Sequence, residues 1–301
     1  MSRNLFATVL TYAAPSSNYR GESEENRTVL QKITKSGREY SVISPESMRN
    51  ALRELIALTE PHNRRRLHDQ DQLAVEFKEF PNADKYADDF LFGYMVADPA
   101  AIKKNKDIPS KRDSVLRMNM AVALTPYRFN ALLHQSPQMA RSDGGTPPFK
   151  NANKSALIHR EVAHTAYQYP FALAYADCRR GGGPQWTRAL LTAIGQLTNV
   201  AGGHARSYFE MAPASIVARL TPSLVAGFDT YGFDEQGRFD ELGRIKRDDL
   251  PGAEFWVGGE VARKMPAEGR ERLRAEGVRL YDNPQKLLAD VAEEFLSAEV
   301  R

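Results

Sequence analysis

Apolar and polar positions along the chain change period several times, and each change predicts an element. Over residues 5–12, Leu5, Ala7, Val9 and Thr11 alternate with Phe6, Thr8, Leu10 and Tyr12. Both faces are partly apolar, which predicts a strand inside a sheet. Residues 15–26 are polar and predict a loop. Ser44-Pro45-Glu46-Ser47 then carries a helix start: an N-cap serine, a proline at the first helical position and an acid in the first turn. Met48, Ala51, Leu52, Leu55 and Ile56 form one face of that helix, which is predicted to run to about Leu58. Between Glu60 and Lys111 the pattern is broken by Pro61, Pro81, Pro99 and Pro109, which predicts an insertion projecting from the core. Alternation returns over residues 114–124, with Leu116, Met118, Met120, Val122 and Leu124 on one side. It fails again over residues 135–155.

Residues 164–177 set Tyr167, Tyr169, Phe171, Leu173 and Tyr175 on one face of a strand. Period-two aromatics of this kind predict the packed face of a sheet, with base stacking as the alternative. Gly181-Gly182-Gly183-Pro184 ends the strand and opens a helix over residues 185–200, with Trp186, Leu190, Ile194 and Leu197 inward and Gly202-Gly203 as its close. A strand region follows over residues 204–220, broken at Pro213. A last amphipathic helix starts at Pro284, and its apolar stripe predicts packing on the core. The order strand, helix, strand, insertion, strand, helix, strand is that of an α+β split βαβ, or ferredoxin-like, fold. Helices on one face of an antiparallel sheet would leave the other face free for a ligand.

Composition adds limits. With 301 residues and 42% hydrophobic residues the chain can bury one sizeable core carrying insertions. No apolar run is long enough for a membrane span, no signal-peptide pattern opens the chain, and a single cysteine, Cys178, suits a reducing, cytoplasmic setting. The net charge of +3 says little, because 41 basic residues nearly cancel 38 acidic ones. Basic residues gather at Arg64-Arg65-Arg66, around Lys103 to Arg112, and at Arg179-Arg180. The histidines show no H-E-x-x-H pattern. His159 and His164, five apart, fall on opposite faces of a strand, so neither metal binding nor histidine catalysis is expected. Gly181-Gly182-Gly183 lacks the spacing of a phosphate loop and is expected to be a turn.

Five stretches carry a family resemblance: residues 4–11 (NLFATVLT), 44–54 (SPESMRNALRE), 89–95 (DFLFGYM), 111–118 (KRDSVLRM) and 202–213 (GGHARSYFEMAP). None is specific alone; in this order they resemble the DevR-type family of CRISPR-associated proteins, backbone subunits of type I, especially type I-B, effector complexes. Beyond Thr221 the resemblance thins. It implies a modified RNA-recognition-motif-like palm over residues 1–59, 112–127 and 164–301, fingers over 60–111 and a thumb hairpin over 128–163. It also implies a non-catalytic subunit that stacks head to tail along a guide RNA (crRNA). Its further partners would be target DNA and the capping, large and small subunits, with no cofactor. The competing expectation is a guide-processing endoribonuclease on a similar core.

A guide held without regard to sequence needs phosphate and sugar contacts. Arg49 and Arg53 stand one turn apart on one helix side, and Ser44 and Ser47 sit at its N-terminus, where free N–H groups favour an anion. With Arg20 and Asn26 on the preceding loop, they form the expected phosphate rim. The alternative is that Ser44 only caps the helix while the arginines pair with Glu46 and Glu54. Gly202, Gly203, His204 and Arg206 suit close backbone approach plus a phosphate contact, and the resemblance favours that over a plain helix end. Lys111 and Arg112, before a core strand, and Lys150 and Lys154, on the thumb, complete the candidates.

Overall fold

The computed structural model describes residues 3–17, 19–24, 27–68, 73–135, 157–200, 208–246 and 249–297. Its centre is β1, Asn4–Leu10, whose seven residues are all buried or half-buried. Antiparallel neighbours flank it on both sides: Tyr167–Ala174, with Leu5 opposite Leu173, and Ser215–Thr221, with Leu5 opposite Leu220. From one edge to the other the large sheet runs Arg279–Tyr281, Phe255–Gly259, Ser215–Thr221, Asn4–Leu10, Tyr167–Ala174, Ala121–Ala123, Arg38–Ile43 and Lys32–Lys35. The short strand Arg117–Met118 also pairs with Tyr167–Ala174. One pair, Phe255–Gly259 with Arg279–Tyr281, is parallel, so the architecture is α+β on a mixed sheet.

Three helices cover one face: α1 (Pro45–Ile56), Gly183–Gly195 and Pro284–Ser297. They bury Met48, Leu52, Ile56, Leu190, Ile194, Leu287 and Phe295 against Leu5, Ala7, Val9, Tyr169 and Phe171 of the strands. Each large apolar side chain so buried contributes about 1.5–3 kcal/mol. The aromatic stripe is thus packing: Tyr167, Tyr169, Phe171 and Tyr175 are all buried. Buried phenols need partners, and they have them. The Tyr169 hydroxyl donates to the Met211 carbonyl at 2.9 Å, and the Tyr167 hydroxyl bonds Ser16 and Ser41 at 2.6 and 2.9 Å.

The structure departs from expectation in five places. The second sheet face is not left free: Phe228, Phe233, Phe239, Leu242 and Leu250 pack on it with Val217, Phe255 and Val257 as a second core. Buried sheet polars are matched there, with Gln168 paired to the Phe233 backbone and Thr8 donating to the Thr230 carbonyl at 2.9 Å. Within residues 15–26, short strands Ala14–Ser16 and Tyr19–Glu24 replace the expected loop. The insertion is not all projection, since Ala87–Phe92 is a fully buried helix joined to the main core. The alternation over 114–124 yields two short strands, Arg117–Met118 and Ala121–Ala123. The helix after the glycine triplet ends at Gly195, seven residues before Gly202, so Gly202-Gly203 does not close it.

Candidate nucleic-acid interface

Ser44 behaves as its position predicts. Its side chain accepts from the Ser47 N–H at 3.2 Å, the two hydroxyls lie 3.0 Å apart, and Pro45 occupies the first turn. α1 therefore begins with one orphan N–H satisfied. Its edge then meets the insertion. Arg49 donates to the Phe92 carbonyl at 2.6 Å, and the Arg53 guanidinium lies 4.6 Å from the Phe92 ring centre while donating to Asn50 at 2.9 Å. Neither arginine pairs with Glu46 or Glu54; both turn toward Phe92. The Nε of Arg53 is buried without a hydrogen-bond partner.

Across the seam stands Arg64, the first residue of a hairpin formed by Arg64–His68 and Leu73–Phe77, with its guanidinium 4.8 Å from the Phe77 ring. Arg49, Arg53 and Arg64 form no ion pair among the described residues. Burial and the neighbouring arginines press the Arg53 guanidinium from its usual value down to about 9, so it stays charged at neutral pH. Arg49 and Arg64 are lowered too, mainly by burial. Asp88 and Asp89 are the buried acids nearby, and their charge favours the protonated guanidinium of Arg53 and Arg64 although neither forms an ion pair; Asp89 keeps its Oδ1 buried without a hydrogen-bond partner. Asp88 accepts from the N–H of Asn63 and Arg64 at 2.9 and 3.0 Å, and Asp89 from the Asn63 side chain and Asn82 N–H at 2.8 and 2.9 Å. Burial raises the Asp89 carboxyl above the usual carboxylate range.

The remaining candidates scatter. Arg112 points inward, donating to the Phe90 carbonyl at 2.5 Å and lying over the Phe90 ring at 4.8 Å, while Lys111 is exposed. The short pair Tyr94–Met95 with Lys111–Arg112 needs Gly93, whose φ is +64°, because a Cβ there would run into the Arg112 carbonyl. Arg20 belongs to strand Tyr19–Glu24. Asn26, Lys150, Lys154, Gly202, Gly203, His204 and Arg206 lie outside the described residues. Arg64, which sequence reasoning noted only as part of a basic run, is the residue this seam adds. Its signal was the abrupt Arg64-Arg65-Arg66 after Pro61.

Among the described residues no cluster of histidine, cysteine and carboxylate side chains could hold a metal, and no helix is long and apolar enough to cross a membrane. His159 and His164 are exposed, and Glu161 between them is committed, accepting from the Leu30 N–H at 3.1 Å and lying 3.4 Å from the Lys32 ammonium.

A mixed sheet with helices on one face, and arginines without an ion pair at the edge of one of them, defines an α+β protein with a basic helix edge. The comparisons give the family. The chain is 32% identical over 288 residues to the CRISPR-associated protein Cas7/Cst2/DevR of Myxococcus xanthus (strain DK1622), spanning 91% of this chain and 92% of that one. It belongs to the Cas7/Cst2/DevR family of CRISPR-associated proteins. No family model matches it. Two solved chains share the fold. One, from a CRISPR RNA-guided surveillance complex in a pre-nicking state, superposes with a TM-score of 0.62 at 11% identity, over 97% of this chain and all of that one. The other, from a CRISPR RNA-guided surveillance complex, has a TM-score of 0.58 at 13% identity, over 97% and 99%.

Proposed function

We propose that this chain is a guide-RNA-binding backbone subunit of a type I CRISPR surveillance complex, polymerising head to tail along the spacer and presenting it to target DNA. Family membership supports the class. The single observation that carries the binding mode is the edge of α1, where Arg49 and Arg53, one turn apart, form no ion pair among the described residues. A phosphate–sugar chain supplies the missing negative charge and lets identical subunits grip any sequence.

In this reading, strands Asn4–Leu10, Ala121–Ala123, Tyr167–Ala174 and Ser215–Thr221 with α1 and helix Gly183–Gly195 are the ferredoxin-like palm. Their order across the sheet, fourth-first-third-second, is that of a split βαβ. Residues 60–111 serve as fingers and 128–163 as thumb. In this reading the subunit is non-catalytic, as family membership supports; the endoribonuclease alternative requires cleavage that depends on His159, His164 or His204. Partners are the crRNA, target DNA, further copies of the chain, and the capping, large and small subunits.

The test is guide binding by Arg49→Ala plus Arg53→Ala at several salt concentrations. Two lost phosphate contacts on a single strand reduce the slope of log affinity against log salt by about 1.4 and weaken binding at least tenfold. An unchanged slope and affinity rejects the rim. Particle mass should rise stepwise with guide length in the native chain, and a length-independent monomer rejects the filament.

A further inference from the structure

Of the two α1 arginines, Arg53 faces the insertion across a cleft of about 260 Å³. From α1 it is lined by Asn50 and Arg53, from the insertion by His62, Arg64 and Arg65. Two carboxylates, Glu54 and Asp88, also border it. Both oxygens of Asp88 are taken by backbone N–H groups, and Glu54 is exposed, where water screens it. Arg65 has a distant, exposed partner in Glu76 at 3.5 Å, but Arg53 and Arg64 have none among the described residues. Each of these two guanidinium groups is instead steadied by an aromatic ring, Phe92 for Arg53 and Phe77 for Arg64. Cation–π contact fixes the planes; Arg53 spends one N–H on Asn50, and the remaining N–H groups of the two guanidinium groups have no carboxylate to meet. The buried, unpartnered Nε of Arg53 is one such group. Two like charges are thus presented to one cleft from two different elements.

We propose that this cleft is a two-sided seat for one phosphodiester, so that loading an RNA strand and docking the Arg64–Phe77 hairpin onto α1 are a single coupled event. The inference rests on the guide-binding reading and adds Arg64 to it. Without RNA, Arg53 meets the charge of Arg64 across the cleft, and the charges of Asp88 and Asp89 offset that repulsion. A phosphate between the guanidinium groups turns repulsion into two charge-assisted attractions, and the hairpin closes. By linkage, whatever holds the hairpin closed also tightens the strand.

Arg64→Met tests this, because it keeps the aliphatic stem against Phe77 and removes the charge. Expected results are guide affinity lower by roughly tenfold, and a salt slope smaller by about 0.7. The thermal midpoint of the RNA-free chain should be unchanged or higher by roughly 2–4 °C. In the native chain, guide loading should slow amide exchange along Leu73–Phe77; in Arg64→Met that protection is lost. Arg64→Lys should regain most of the affinity. Native affinity and slope in Arg64→Met overturn the seat, and so does a fall in midpoint with hairpin protection by the guide intact. Arg49→Ala, on the same helix edge but not lining the cleft, separates the two readings. If it weakens guide binding while Arg64→Met does not, only the seat fails; if neither does, guide binding at this edge fails as well.

Discussion

Two regions of this molecule bury arginine in opposite ways. On the second sheet face, Arg219 of strand Ser215–Thr221 is fully answered. Its guanidinium meets Glu254 at 2.7 Å, donates to the Ala226 carbonyl at 2.6 Å and lies 5.5 Å from the Phe255 ring. At the seam between α1 and the insertion, Arg53 is half-buried. It has one neutral amide oxygen and one ring in contact, two arginines, and the charges of Asp88 and Asp89 without an ion pair to either. The first arrangement is what a structural charge requires, since an unpaired buried ion costs several kcal/mol. The second tolerates that cost, which makes sense when the compensating anion arrives from outside. The same contrast runs through the surface. Arg188 with Glu293 and Arg3 with Glu294 tie helix Pro284–Ser297 down, whereas the α1 edge has acids nearby and leaves them engaged elsewhere.

The sharpest way to break this contrast is at its paired end. Arg219→Ala strands Glu254, and the expected loss of stability is about 3 kcal/mol, at the low end for a buried pair because Glu254 keeps some contact with water. Denaturant titration measures it. Guide affinity, referred to folded protein, should not change; a parallel loss of guide binding would mean that the second face also serves RNA. Tyr169→Phe probes the same rule with a neutral donor. It leaves the Met211 carbonyl without its hydroxyl partner in a fully buried position, with an expected cost of about 1–3 kcal/mol in the same titration. A cost near zero would show that the packed face tolerates orphan polars, and the contrast with the seam would lose its force.

How far the chain could be read in advance follows the range of the forces involved. The start of α1 was legible to the residue, because serine, proline and glutamate act on their own turn. The buried aromatic stripe of Tyr167–Ala174 was legible because strand periodicity is local. A hairpin at Lys32–Lys35 and Arg38–Ile43 was legible and overlooked: Ser36 and Gly37 both take positive φ, and a two-residue Ser-Gly turn between alternating residues signals it. The cover on the second face was not legible. Phe228, Phe233 and Phe239 come from irregular chain that has no period, and only the sheet shows where they belong. Nor could sequence say that Arg49 and Arg53 turn away from Glu46 and Glu54. That choice is made by the Phe92 carbonyl and ring, some forty residues on in a buried short helix. The fourth-first-third-second order of strands Asn4–Leu10, Ala121–Ala123, Tyr167–Ala174 and Ser215–Thr221 in the sheet was implied by the predicted element order, but which segment fills the second place, Ala121–Ala123, emerged only from pairing.

A smaller effect sharpens the seam itself. Ser44→Ala removes the acceptor for the Ser47 N–H, and the expected cost is about 1 kcal/mol, as for other caps. If Ser44 only caps, guide affinity should follow the folded fraction. If the helix start also meets phosphate, affinity should fall further while the salt slope holds, since a neutral hydroxyl releases no counterion. Measuring both on the same preparation separates the two roles.

The smallest expected change is the most telling one. Arg53→Met removes a half-buried charge from the seam. A conventional reading of burial would expect a loss like that at Arg219. Here the terms nearly cancel. The cation–π contact with Phe92 and the bond to Asn50 are worth about 0.5–1 kcal/mol each. Lost with them is the attraction of Asp88 and Asp89; against these stand relief of repulsion from Arg49 and Arg64 and the end of a desolvated guanidinium with an unmet Nε. Methionine keeps the volume and suits the aromatic neighbour. The RNA-free chain should therefore keep its stability to within about 0.5 kcal/mol while guide affinity drops. A loss of stability approaching that of Arg219→Ala would mean that Arg53 is a fully satisfied structural charge. The difference between the two regions would then be one of partner type, not of purpose.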